Sequence, residues 1–462
     1  INVRRLTVMT FLGAGMLSSI SAQVSPLQVD TLKETKIPDQ WDLQSCIDYA
    51  KEQNITIRKN RITAASTQID VKTAKAAMFP SLSFSTSQQV VNRPYQETSS
   101  RVSGNEIISS NSKTSYNGNY GLNASWTLYN GNKRLKTIQQ EKLNNQMAEL
   151  DVATSENNIQ ESIAQVYIQI LYAAESVKVN ENTLQVSIAQ RDRGQELLNA
   201  GSIAKSDLAQ LEAQVSTDRY QLVTAQATLE DYKLQLKQLL ELDGENEMNI
   251  YLPALSDENV LAPLPTKRDV YISALSLRPE IEASKLNVEA SELGINIAKS
   301  SYFPTISLSA GIGTNHTSGS DFTFGEQVKN GWNNSIGLSV SVPIFNNRQT
   351  KSAVQKAKLQ YETSMLSLLD EQKALYKTIE SLWLDANSAQ QRYAAANEKL
   401  KSTQISYELI SEQFNLGMKN TVELLTEKNN LLQAQQEQLQ AKYMAILNTQ
   451  LLKFYQGDQL AL

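Results

Sequence analysis

The chain has 462 residues, of which 20% are charged, and 43 Lys and Arg stand against 48 Asp and Glu for a net charge of −5. Its mean hydropathy is slightly negative. That balance excludes a helical membrane protein and argues against a nucleic-acid binder.

The first long apolar run lies at the N-terminus. Arg4-Arg5 precede Leu6 to Ile20, and Ser21-Ala22 follow. A positive start, a short apolar core and a small-residue exit describe a signal peptide over 1–22, with cleavage expected after about Ala22. The run is short and broken by Gly13 and Gly15, which argues against an anchor helix. The chain opens on Ile1 rather than Met, which leaves room for residues upstream. Residues 23–40, with Pro26 and Pro38, form a polar linker. Cys46 is the single cysteine, so no intrachain disulfide can form. Its context, Ala50, Ile57 and Ile62 at helical spacing, makes it a buried and inert thiol.

A first unit is expected over 41–244. Asp42 supplies the N-cap of a helix running to Met78. Phe79-Pro80 opens a strand in which Leu82 and Phe84 alternate with Ser81, Ser83 and Ser85. A Ser- and Asn-rich loop over about 92–115 follows. The returning strand sets Tyr120, Leu122, Ala124, Trp126 and Leu128 against Gly121, Asn123, Ser125 and Thr127, so the strand pair occupies 79–129. After Tyr129-Asn130-Gly131 an unbroken helix is expected over 133–199. Ile159, Ile163, Val166, Ile170, Ala173 and Val177 form a coiled-coil seam along it. At 1.5 Å per residue it is about 100 Å long. A turn at Gly201 reverses the chain. Leu208, Val215, Leu222, Leu229 and Leu236 then recur every seven residues in a return helix over 204–240. That helix is about half as long as its partner, and the helix before the strands can supply the other half.

Residues 245–268, with Pro253, Pro263 and Pro265, connect to a second unit over 269–457. Ala274 and Ile281 match Ala50 and Ile57 at one constant offset, and Phe303-Pro304 keeps that offset from Phe79-Pro80. The second strand pair occupies 303–345. Ile306, Leu308, Ala310 and Ile312 alternate with Ser and Gly, and Ile336, Leu338, Val340 and Val342 form the apolar side of its return, which ends at Pro343. A second long helix over 348–415, a turn at Gly417 and a return helix over 420–456 complete the unit, and 458–462 is a tail.

The polar side of all four strands is Ser, Gly and Asn rather than Lys and Glu. An apolar face opposite an uncharged polar face suits a membrane β-barrel. A soluble two-faced sheet gives the same pattern in one strand, but four strands in two matched pairs favour the barrel. Phe79, Tyr129, Phe303 and Phe345 fall at the strand-helix junctions, where an aromatic girdle sits at a membrane interface. Four strands cannot close around a lumen, so oligomerisation is required.

The residues carry no enzyme signature. The only histidine, His316, is expected to be a solvated residue of the second hairpin loop. No cofactor or metal site is expected, and the carboxylates spread along helix flanks.

The paired Phe-Pro openings, the junctions Tyr129-Asn130-Gly131 and Ser341-Val342-Pro343-Ile344-Phe345-Asn346, and the two Gly turns occur in one doubled order. In this the chain resembles the TolC-like outer-membrane efflux protein family, over nearly everything after residue 40. The resemblance implies a mainly α fold with a membrane β-barrel portion. It implies a homotrimer with a 12-stranded barrel and a periplasmic α-helical tunnel, in the outer membrane of a Gram-negative bacterium. It further implies a passive exit duct for efflux or type I secretion, working with a periplasmic adaptor protein and an inner-membrane pump. Pro80, Pro304 and Pro343 mark its strand-helix junctions, and the turns at Gly201 and Gly417 would meet the adaptor. Acidic residues just past the second turn line the family's constricted entrance. Glu423 matches the first such position, Thr426 takes the place of the second, and Glu427 is the next carboxylate; Asp207 is the first unit's counterpart of Glu423. A structural coiled-coil protein of the cell envelope is the competing reading, although a rod has no use for strands with a polar lumen face.

Overall fold

The computed structural model describes residues 38–95, 99–103, 106–110, 113–243, 248–253, 260–318, 320 and 322–461. The expected signal peptide and most of the linker lie outside the described residues. The chain is mostly helical. Its helices are α1 Leu43–Gln53, α2 Ile55–Ala76, α3 Lys133–Asn199, α4 Lys205–Leu239, α5 Lys267–Leu277, α6 Pro279–Ser300, α7 Phe324–Asn330, α8 Gln349–Asn415 and α9 Thr421–Gln456. Its strands are β1 Ser81–Asn92, β2 Ser99–Ser103, β3 Glu106–Ser110, β4 Thr114–Asn130, β5 Thr305–Thr317 and β6 Asn333–Ser341.

Each 67-residue helix is flanked by shorter ones. α3 packs on α4 and α2 and also on α6, while α8 packs on α9 and α6. The four main strands form one antiparallel sheet in the order β1-β4-β5-β6, and β2 and β3 form a separate two-stranded sheet among the described residues.

The helix expected from Asp42 to Met78 is two helices. Asp42 caps the first by accepting from the Ser45 N–H at 2.7 Å. Asn54 breaks it with an extended ψ of 127°. The Asn54 side chain accepts from the Thr56 N–H at 2.9 Å and donates to the Leu239 carbonyl at 3.0 Å. The gain from these bonds, about 1 kcal/mol each, offsets the lost helical pair. Arg278 makes the corresponding break between α5 and α6, and Pro279 supplies the first residue of α6. The buried Arg278 guanidinium binds Glu161 at 2.6 Å and Glu280 at 3.0 Å and lies 3.9 Å over the Tyr455 ring. The expected loop over 92–115 contains the β2–β3 hairpin, in which Val102 pairs with Ile107 and Arg101 with Ile108; the β-branched Val and Ile favour extended backbone.

The main core lies where α1, α3, α4, α8 and α9 meet. Trp41, Ile47, Ile163, Tyr167, Ile170, Leu236, Leu240, Tyr393 and Ala445 are buried there. Trp41 is not helical: its backbone bridges to the connector, with Trp41 N–H donating to Asn249 O and Tyr251 N–H to Trp41 O, both at 2.8 Å. The connector is held on α8 by Gln390, which donates to the Val260 and Ala262 carbonyls at 2.9 and 2.8 Å.

Cys46 is fully buried in this core, and burial pushes its thiol up to about 12. The thiolate needed for alkylation is therefore suppressed as well as shielded. Maleimide at mildly alkaline pH should leave Cys46 unmodified in the folded protein and modify it after denaturation. Rapid native labelling would show that this core opens.

Candidate functional site

The sheet is built of rows that alternate in chemistry. Residues directly opposite one another share a face. Leu82, Ala124, Ala310 and Ile336 form one row, and Phe84, Leu122 and Ile312 belong to the next on that face. On the other face the rows are Ser81, Ser125, Ser309 and Gly337, then Ser83, Asn123, Gly311 and Ser335. The polar rows are knitted by side chains: Ser81 and Ser125 hydroxyls lie 2.8 Å apart, and Asn123 donates to Ser85 at 3.4 Å. The apolar face is left uncovered, with Leu82, Leu338 and Ile336 all exposed.

The strand-helix junctions sit together at one end of the sheet. Phe79, Phe303 and Phe345 are exposed there, and Tyr129 is half-buried in the row of Ile306 and Val340. Pro80 and Pro304 stand one residue ahead of β1 and β5, and Pro343 stands two residues past the end of β6. In the first half, where Thr127 stands in place of that proline, the strand continues with a bulge between Thr127 and Tyr129. Gly131 has φ +66°, and a Cβ there would lie 2.6 Å from the Ser300 carbonyl and 2.9 Å from Phe303 Cβ, so only glycine fits. Arg134 donates to the Ala77 carbonyl at 3.0 Å, and the Trp126 indole to Met78 O at 2.8 Å, tying α3 and β4 to the end of α2.

The expected loop after β5 is different. The strand runs on to Thr317, and α7 follows, so His316 is a half-buried strand residue rather than a solvated loop residue. Its ring stands edge-on to Tyr116 and Phe324, at centroid separations of 5.6 and 5.1 Å.

At the far end of the long helices, Gly201 and Gly417 have φ +74° and +73°. Ser202 N–H returns to Leu197 O and Met418 N–H to Gln413 O, both at 2.8 Å, as in a Schellman turn. Leu416 and Met418 are 75% and 70% exposed at the second tip. Behind the turns, Leu211, Phe414 and Leu424 form a small core. Glu423 lies in the first turn of α9, where its N–H is capped by Asn420 at 2.9 Å and its carboxylate meets Lys419 Nζ at 2.9 Å. Glu427 accepts from Ser406 of α8 at 3.1 Å. Asp207 instead accepts from the Ala204 N–H at 3.0 Å, capping α4. The two counterparts thus do different local work.

One cluster here escaped sequence reading. Lys428 of α9, 3% exposed, bonds both Asp218 of α4 and Ser187 of α3, which are equally buried. Gln214 donates to the other Asp218 oxygen at 2.9 Å. Burial pushes the Lys428 ammonium down more strongly than Asp218 pulls it up. The cluster joins the α3/α4 hairpin to the α8/α9 hairpin. Gln190 adds a second tie by donating to the Tyr407 hydroxyl at 2.8 Å.

Among the described residues no helix is long and apolar enough to cross a membrane, and no group of three His, Cys, Asp or Glu could hold a metal ion.

A family model described as outer membrane efflux protein matches residues 46–241 and 270–457. The outer membrane efflux protein BepC of Brucella suis biovar 1 (strain 1330) is 24% identical over 63% of this chain. That match spans 61% of BepC's own length. Toxin and drug export protein A of Aggregatibacter actinomycetemcomitans is 21% identical over 90% of this chain and 87% of its own. A crystal structure of CusC superposes with a TM-score of 0.76 at 19% identity, covering 90% of this chain and 92% of that one.

Removing Lys428 alone strands a buried carboxylate. Lys428→Met should cost about 3–5 kcal/mol. Lys428→Met combined with Asp218→Asn should recover much of that loss. Urea melts followed by helical circular dichroism would measure both, and an unchanged midpoint for Lys428→Met would show that the pair is not buried in solution.

Proposed function

This chain belongs to the outer membrane efflux protein family, and from that membership we propose that it is a passive exit duct of the outer membrane. The observation that carries the reading is the sheet, whose registered rows put bare Leu, Ile and Phe on one face and Ser, Gly and Asn on the other. Such a sheet suits lipid outside and a watery lumen inside.

Within one chain the outer edges of β1 and β6 pair with no other strand of the four-stranded sheet. Unpaired backbone groups cost several kcal/mol each in hydrocarbon, so the edges must meet other copies. Three copies give a closed 12-stranded barrel, and the two halves of the chain act as structural repeats around it. The helices continue the barrel as a tunnel. Exposed Ile62 and Ile69 on α2, and Leu366 and Ile405 on α8, supply apolar surface for neighbouring copies. Phe79, Tyr129, Phe303 and Phe345 form the girdle at the periplasmic interface. About 100 Å away, the turns at Gly201 and Gly417 meet a periplasmic adaptor, with Leu416 and Met418 as its apolar contact. An inner-membrane pump supplies the energy, and this chain does no chemistry. The exported cargo is a drug, a metal ion or a protein; relatives are named for toxin and drug export and for cation efflux.

Three copies of Glu423 around one axis form the constriction. Lys419 offsets part of each charge, and Glu427 is turned towards α8, which makes it the weaker contributor. Carboxylates crowded at a narrow mouth attract cations, and salt screens the effect.

Two experiments test this reading. A membrane-impermeant thiol reagent should modify Ser125→Cys from the lumen and leave Leu122→Cys unmodified in assembled protein. The reverse pattern would invert the faces. In planar bilayers, Glu423→Gln should lower cation selectivity and weaken block by divalent cations. Lys419→Gln should raise selectivity, and Asp207→Asn should change it less. A Glu423→Gln channel indistinguishable from its parent would move the ring away from Glu423.

A further inference from the structure

Resting on the barrel reading above, we propose that α7 is an interfacial anchor seated in the headgroup zone of the outer leaflet. It would mark, with Tyr116, Tyr120, His316 and Trp332, the far edge of the lipid-facing band.

The placement follows from register. Tyr120 is paired with Thr314, and His316 stands opposite Gly118. Tyr116, Tyr120, Thr314 and His316 all fall on the strand parity of Leu122, Ala124 and Ile312, which is the apolar face. Phe324 of α7 packs edge-on against His316 and against Tyr120, at 5.1 and 6.5 Å. The helix therefore reaches over the face assigned to lipid, not over the lumen rows.

The spacing agrees. On β5 the periplasmic aromatic level is Ile306, paired with Tyr129, and the far level starts at Thr314, paired with Tyr120. Eight residues at ~3.4 Å span about 27 Å along the strand, or ~21 Å along the normal for a strand tilted by about 40°. Extending to the His316 row brings this to about 26 Å, close to the ~25 Å apolar band of a membrane barrel.

α7 is also fixed rather than loosely hung. Thr314 Oγ1 donates to Val328 O at 2.7 Å, and the Thr317 N–H donates to Gln327 Oε1 at 2.9 Å. Thr323 and Glu326 close a capping box at its start. β6 begins only at Asn333, opposite Gly313, so α7 covers the stretch of β5 edge that β6 does not reach. Phe324 of the helix, with Phe322 just before it and Trp332 just after it, is about half exposed, beside the exposed Glu326 and Lys329. The Trp332 indole donates to Asn334 Oδ1 at 3.1 Å. Rings with an apolar body and a polar edge settle at the headgroup level. Continuity with the bare apolar rows of β4 and β5 makes lipid the occupant of that surface.

Cys46 is buried, so single introduced cysteines can be labelled selectively. The full-length assembled protein would be labelled with an environment-sensitive dye at Phe324→Cys, or at Phe322→Cys as a second probe, and placed in phosphatidylcholine vesicles. Leu338→Cys marks the band, and Tyr95→Cys, at a fully exposed position, marks water. Lipids carrying a nitroxide near the headgroup should quench the α7 labels more than lipids carrying it deep in the acyl chain. Leu338→Cys should show the opposite order, and iodide should quench Tyr95→Cys several-fold more than Phe324→Cys. Iodide quenching of α7 equal to that of Tyr95 places the helix in water and overturns the proposal. Quenching by neither agent places it against a neighbouring copy and overturns it equally. If Leu338→Cys is itself untouched by both nitroxides, the barrel reading fails as well.

Discussion

An uninterrupted helix of 67 residues sets every other length in this chain. Most helical stability comes from packing an apolar face, so a helix about 100 Å long needs partners along all of it. No second helix of that length runs antiparallel to α3 as its hairpin partner. Within its own half of the chain the partners are α2 and α4, with α6 of the other half packing beside them, and the chain leaves the bundle between α2 and α3 to make β1 and β4. The main core sits at mid-length, where helix ends have to be buried and their orphan backbone groups satisfied. Asn54 does this directly by capping α2 with its carbonyl oxygen while its amide donates to the last turn of α4.

The same constraint explains where polar groups are buried. Arg278 and Asn54 sit at helix breaks, where hydrogen-bonding demand is unavoidable. Arg278 is surrounded by Glu161, Glu280 and Tyr455, and burial pushes the Glu161 carboxyl up against the opposing pull of Arg278. Lys428, Asp218 and Ser187 lie elsewhere, between two coiled-coil hairpins that otherwise touch through few apolar residues near the tips. A buried charged pair adds little net stability compared with apolar side chains, but it tolerates only one alignment. It ties α9 to α4 and α3 at one level of the bundle.

Much of this was legible in the sequence, and the remainder failed for identifiable reasons. The seam Ile159 to Val177 and the heptads from Leu208 mark helices because their period persists far beyond chance. The strands were legible as alternation, but their register was not, since Ala124 and Ala310 meet across nearly two hundred residues of chain. The break at Asn54 carries no Pro or Gly, and only its partner at Leu239 makes it worthwhile. β2, β3 and α7 lie in Ser-, Gly- and Asn-rich stretches whose local preference is for turns. Lys428 looks like any charge on a solvated helix flank, because its burial depends on Asp218, a residue of another hairpin. Glu423 was singled out by the family resemblance and its place after Gly417, but its pairing with Lys419 was not legible, because Lys419 lies in the turn ahead of the Asn420 cap, outside the helix.

Gly131 sets a limit on how such a chain could be assembled from its own halves. The position after Asn130 is glycine, and the position after Asn346 is Asn347, although both residues adopt positive φ. Gly131 is pressed against the end of α6, with 2.6 Å between a notional Cβ and the Ser300 carbonyl. A half-length protein made from the first half alone could close a ring of six, since every joint would offer a glycine to its neighbour. A ring made from the second half alone would drive an asparagine side chain into that carbonyl at all six joints. The two halves share an outline but are not interchangeable parts, and the difference at this joint is a glycine against an asparagine.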